Sequence, residues 1–281
     1  MYGPDYGSNP VGTGAYQLLR GEYKRASKTV LVKNPNYRKR TWDWASDAAD
    51  DQALIKTMRG KPVPAIDRVE VYPIDEGQAA WLAFLSGQHD YLPILPASIS
   101  NVAKSEGKLK PEYAQQGIRL FPRLKPNVWY TMFNMNDPVT GGYSKDKIAL
   151  RRAISLGFSL DEMIRVVYQG DGIPGKGITP PGVVGYDDKR PRAHAYDPAL
   201  AKALLDRFGY KDRDGDGYRE LPDGSTMSIT YVIGTSALSR QLGEIWKKSM
   251  DAIGIRLVIE TMKTPDMRKA ARQGQGKMTR E

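Results

Sequence analysis

"MSITYVIGTSALSRQLGEIWKKSMDAIGIRLVIE", residues 227–260, decides the fold. Its first eight residues alternate and are rich in β-branched and aromatic side chains, as a strand requires. Leu238, Leu242, Ile245 and Trp246 then recur at helical spacing on one face, and Gly254 stands where a helix stops. "IRLVIE" (255–260) is a second strand. A strand, a helix and a strand in that order imply a parallel pair joined by a right-handed crossover. The fold class is α/β.

Helices precede this unit. "YDPALAKALLDRFGY" (196–210) has Asp197 as N-cap, Pro198 at the first helical position and Gly209 past the end. "SLDEMIRVVYQG" (159–170) opens with a capping box of Ser159 and Glu162, and "KIALRRAISLG" (147–157) places Ile148, Ala149, Ala153, Ile154 and Leu156 broadly on one side. Nearer the start, "AYQLLRGEY" (15–23) and "TVLVKN" (29–34) read as a hairpin. Strand 68–75, helix 76–87 and strand 89–95 read as another parallel crossover. "GIRLFP" and "NVWYTMFNMN" are two more strands around the Pro122–Pro126 break, taken as a lobe boundary between residues 1–122 and 123–281.

The 281 residues are 40% hydrophobic, enough for a real core. No apolar run is long enough to span a membrane. The opening residues lack the basic start and apolar stretch of a signal peptide. Zero cysteines exclude disulfides and thiolate metal sites. The formal charge of +10 concentrates in residues 20–40 and 263–281. These match no nucleic-acid-binding module and read as a solvated hairpin and a solvated tail.

"DRDGDGYRELPDG" (212–224) imitates a calcium loop, with Asp212, Asp214 and Asp216 alternating, then Glu220 and Asp223. An EF-hand needs a bidentate Glu at position twelve, carried by an exiting helix. Asp223 is one methylene shorter, lies between Pro222 and Gly224, and a strand follows, so a turn-rich hairpin is the better account. Calcium stays a secondary candidate. "GDGIPG" (170–175) satisfies a dinucleotide pattern but follows a helix and contains Pro174, so it reads as a loop. The histidines, His89 and His194, stand alone, and no nucleophile elbow or zinc-protease motif is present. Nothing here argues for an enzyme or a cofactor.

Several stretches together resemble one family: "VGTGAYQLLRGEY…TVLVKNPNYR", "AIDRVEVYPIDEGQAAWLAFLSGQHDYL", "FNMNDPVTGG…KIALRRAISLGFSLDEMIRVVYQGDGIPG", "YDPALAKALLDRFGYKDRDGDG" and "ELPDG". They are similar to the extracellular solute-binding proteins, family 5, of ABC importers, from about residue 10 to about residue 262. The resemblance implies a type II periplasmic binding protein whose two lobes close on a peptide or other small solute. The closed form, a monomer, would dock on the transmembrane subunits of an ABC permease in the periplasm. Members usually run longer on both sides, so the resemblance implies an internal fragment with part of each lobe and weak solute binding by these residues alone. It also nominates cleft residues: Trp129, Tyr130 and Asn134 on the aromatic strand, Tyr91 and Ile94 on "DYLPIL", and Thr235, Ser236 and Arg240 after "ITYVIG". Trp129 and Tyr130 could equally be core, and Arg240 a solvated helix residue. Two rival readings are the ligand-sensing part of a transcriptional regulator and a non-functional remnant.

Overall fold

The computed structural model describes residues 3–24, 26–192, 195–273 and 278–280. Arg25, His194, Lys277 and Glu281, each counted above, lie outside the described residues. The chain divides into two compact units, Met1–Leu92 and Pro93–Glu281, the division falling ahead of the proline break.

The first unit opens with the expected hairpin. β1 (Tyr16–Leu18) and β2 (Thr29–Lys33) pair antiparallel with Gln17 opposite Val32. A short excursion follows, absent from the sequence reading: β3 (Arg40–Thr41), helix α1 (Gln52–Met58) and β4 (Pro62–Val63), with β3 paired to β4. β5 (Arg68–Val71) then adds to β2 antiparallel, and α2 (Gly77–Leu85) ends at Gly87, whose φ of 75° only glycine adopts cheaply. The return strand expected over 89–95 does not form. Pro93 removes a ladder donor there, so this crossover is not completed among the described residues.

The second unit begins with α3 (Ala97–Ala103), a small ladder of β6 (Lys104–Ser105) and β7 (Lys108–Leu109), and α4 (Pro111–Ala114). The strand expected at "GIRLFP" is absent, and "NVWYTMFNMN" shortens to β8 (Thr131–Phe133). Pro122 and Pro126 supply no ladder donor between the two stretches.

Then come α5 (Lys145–Gly157), α6 (Leu160–Val166) and α7 (Pro198–Arg207). Asp197 caps α7 by accepting from Leu200 N at 2.8 Å. Half of the capping box forms: Ser159 Oγ accepts from Glu162 N at 3.2 Å, while the Glu162 carboxylate turns to Lys248 Nζ at 2.6 Å. On α5 the buried stripe includes Leu150, and Ile148 is exposed, a one-residue rotation from the expected face.

The decisive segment folds as read. β9 (Ile229–Ile233), α8 (Ala237–Asp251) and β10 (Leu257–Thr261) make a parallel crossover with Leu257 opposite Ile229. The basic end is not a solvated tail. It forms α9 (Thr264–Arg272) and β11 (Met278–Arg280), and β11 inserts between β9 and β8 to give the order β10-β9-β11-β8. Met278 is buried in the main core with Tyr231, Trp246, Leu150 and Ile154. Phe158 stacks on Trp246 with ring centroids 3.9 Å apart. Burial of these side chains stabilises the unit.

Candidate functional site

β11 runs parallel to β9 and antiparallel to β8. The entry of β8 and the exit of β9 therefore share one end of the sheet. The register confirms this: Val232 aligns with Thr279, and Thr279 with Met132. Trp129 and Tyr130 lead into β8, and Thr235 and Ser236 leave β9. One strand lies between them, a separation of about 10 Å. The exit of β10 joins the same end, where Met262 N donates to Ile233 O at 2.9 Å. The carboxyl ends of parallel strands are where open α/β sheets take ligands.

Trp129 is 66% and Tyr130 49% exposed, so neither is a core residue. What fixes β8 is the turn after it. Asp137 Oδ1 accepts from Val139 N (2.9 Å), Thr140 N (2.7 Å) and Thr140 Oγ1 (3.1 Å). From α5, Arg151 donates to Thr140 O at 2.6 Å and Lys147 to Pro138 O at 2.7 Å. Gly141 fits because nothing larger can: a Cβ there would lie 2.3 Å from Met135 O. The sequence reading passed over these supporting residues, though "NDPVTGG" carries the composition of a tight turn. Asn134 belongs to this turn as well, its side-chain oxygen accepting from Asn136 N at 3.0 Å.

Across the sheet end, Ser236 caps α8 by accepting from Ser239 N at 3.1 Å. Arg240 is exposed and donates to Thr235 O at 2.8 Å, which holds the loop after β9. Ile94 and Tyr91 stand exposed on the irregular stretch 89–95, Tyr91 within the first unit.

The acidic loop gathers Asp212, Asp214, Asp216 and Glu220, each offering an oxygen within 4.8 Å of the others. Asp223 is not in this group. Ser225 occupies it through Oγ at 2.6 Å and N at 2.9 Å, which holds the Asp223 carboxyl below its ordinary pKa. The four gathered carboxylates are engaged too. Asp212 accepts from Gly215 N and Gly217 N, Asp214 from Asp216 N, and Glu220 from Arg213 N. Asp216 accepts from Tyr218 N and pairs with Arg256, a cation already standing against the cluster. Bends and turns make up this loop, with Glu220 N bonded to Lys211 O at 3.0 Å. The loop at 170–175 likewise binds within the protein: Asp171 accepts from the buried Ser100 hydroxyl at 2.7 Å and pairs with Lys104.

The family described as bacterial extracellular solute-binding proteins, family 5 Middle, matches residues 2–281. The chain belongs to this family. Among curated relatives, it is 24% identical over 277 residues to the di/tripeptide-binding protein 2 of Pseudomonas aeruginosa, covering 98% of this chain and 43% of that protein. It is 25% identical to heme-binding protein A of Haemophilus influenzae, over 95% of this chain and 40% of that protein. The chain thus spans less than half the length of these relatives. Among solved structures, the oligopeptide-binding protein AppA of Bacillus subtilis in complex with a nonapeptide superposes with a TM-score of 0.71 at 18% identity, covering 99% of this chain and 48% of AppA. NikA of Brucella suis in complex with Fe(III)-EDTA gives 0.68 at 23% identity, covering 97% and 48%. The fold is therefore that of type II periplasmic binding proteins. No helix among the described residues is long and apolar enough to cross a membrane.

Proposed function

We propose that this chain is part of the substrate-binding component of an ABC importer for peptides or similar solutes. Its family carries the assignment to the importers, and one observation carries the site. The exposed pair Trp129 and Tyr130 and the loop of Thr235, Ser236 and Arg240 meet at the same end of one sheet. Aromatic faces there would pack a solute's apolar groups, and the Thr235–Ser236 loop would meet its polar ones. Lobe closure in the complete receptor would bury the solute, and the closed form would be handed to the permease subunits on the outer face of the membrane. The protein makes and breaks no bond in this reading and acts as a monomer without a cofactor.

The test is a titration of the chain with short peptides at high concentration, following tryptophan fluorescence and the indole N–H resonances. The expected result is a weak but saturable change that disappears in the W129A/Y130A double variant while the melting temperature stays put. Trp129 is two-thirds and Tyr130 half exposed, so their truncation should leave the core intact. An unaltered titration in that variant would refute the assignment of the site.

A further inference from the structure

We infer that the solute taken at this sheet end is an acidic peptide; this rests on the reading of that end as the solute site. From Glu112 to Asp137 the chain carries Arg119, Arg123 and Lys125 and not one intervening carboxylate. All three cations are exposed. Residues 115–130 form neither helix nor strand and run directly into Trp129 and Tyr130, with Phe121 and Leu124 also exposed along the way. On the far side of the sheet end stand Arg240 and, just past β10, Lys263, both exposed. The acids of that side are Glu244, one turn beyond Arg240 on α8, Glu260 and Asp266. The named positions thus carry five cations and three carboxylates.

An excess of one sign over an exposed aromatic surface favours a ligand of the opposite sign through attraction and through faster encounter. Guanidinium groups match carboxylates in a two-pronged geometry, which gives arginine its preference for them. Small inorganic anions would use the cations and leave the aromatic faces idle. A single-stranded nucleic acid would use both, but it presents a phosphate at every nucleotide and needs an unbroken basic track. Glu260 and Asp266 interrupt such a track here. An acidic peptide meets the pattern as it stands.

The experiment compares three pentapeptides on the unmodified chain: Ala-Glu-Phe-Glu-Ala, its amide isostere Ala-Gln-Phe-Gln-Ala, and Ala-Lys-Phe-Lys-Ala. Affinities are read from the same fluorescence and indole signals at low and high salt, with oligothymidylate as a fourth probe. The glutamate peptide should bind about tenfold more tightly than the glutamine peptide at low salt, converge on it as salt rises, and exceed the lysine peptide by more. In the R123Q/K125Q variant the glutamate preference should fall to about threefold or less, with circular dichroism confirming an unchanged fold. Equal affinities for glutamate and glutamine peptides would overturn the charge inference and leave the solute site standing. Tighter binding of oligothymidylate than of the glutamate peptide would overturn the assignment to peptides. Failure of every probe to bind would remove the site itself, and this inference with it.

Discussion

Replacing Gly141 by alanine tests how the turn positions β8. The added Cβ would stand 2.3 Å from Met135 O, 2.5 Å from Met135 C and 2.6 Å from Asp137 O, all backbone atoms that cannot swing aside as a side-chain tip can. To relieve the overlap the turn must open, and two bonds go with it: Gly141 N to Asp137 O at 2.8 Å and Gly142 N to Met135 O at 3.0 Å. Each is worth about 1 kcal/mol net, and more where a buried group is left unsatisfied; Thr140, inside the turn, is fully buried. The expected loss is about 2–4 kcal/mol, or a melting temperature lower by roughly 5–15 °C for a unit of this size. Urea unfolding followed by tryptophan fluorescence measures it. G12A is the control, since nothing lies within 4 Å of a Cβ there and its backbone is not left-handed. If G141A stays within about 0.5 kcal/mol of G12A, the steric reasoning is wrong.

Met278 is fully buried in the main core, so M278A should cost about 2–5 kcal/mol in the same assay, whereas a solvated tail would give no measurable loss. Glu70 accepts from Tyr72 Oη at 2.5 Å and from Arg68 Nε at 2.7 Å, contacts that hold its carboxyl down to about 2. A depressed folded pKa contributes stability above the ordinary carboxylate range and loses it as pH falls toward 2, so the Glu70 carboxyl carbon should titrate near 2 by NMR. A midpoint near 4 would refute these hydrogen bonds. Calcium at millimolar concentration should leave the melting temperature unchanged, because the Asp212–Glu220 carboxylates already serve the loop's own amides and Arg256; stabilisation reversed by a chelator would overturn that account.

What could be read from the sequence was what local pattern determines. The 227–260 crossover announces itself because strand alternation, helical spacing and Gly254 all fall in one continuous window. Asp197, Pro198 and Gly209 mark α7 for the same reason: caps are local chemistry. Where partners from far along the chain decide, the pattern misleads. "HDYLPIL" has the composition of a strand but Pro93 interrupts its donors, and β5 pairs only with β2 among the described residues. Three residues, Met278–Arg280, become a strand because a gap between β9 and β8 receives them, and their basic, glycine-containing surroundings give no hint of it. For the site, the residues at the sheet end were nominated by family likeness rather than by periodicity. The exposure of Trp129 and Tyr130 depends on how short β8 is, and the pins from Lys147 and Arg151 depend on where α5 packs.

The placement of β11 has a kinetic corollary. During synthesis β8 leaves the ribosome early and β9 much later, and the strand that lies between them in the folded sheet comes only with residues 278–280. Until those arrive, β8 lacks the one strand it pairs with among the described residues, and only the turn at Asp137 holds it. Assembly of the sheet is therefore a closing event of long sequence range, slow by its topology, and a nascent chain halted short of Met278 would hold the described helices of this unit without the completed sheet end proposed above to receive a solute.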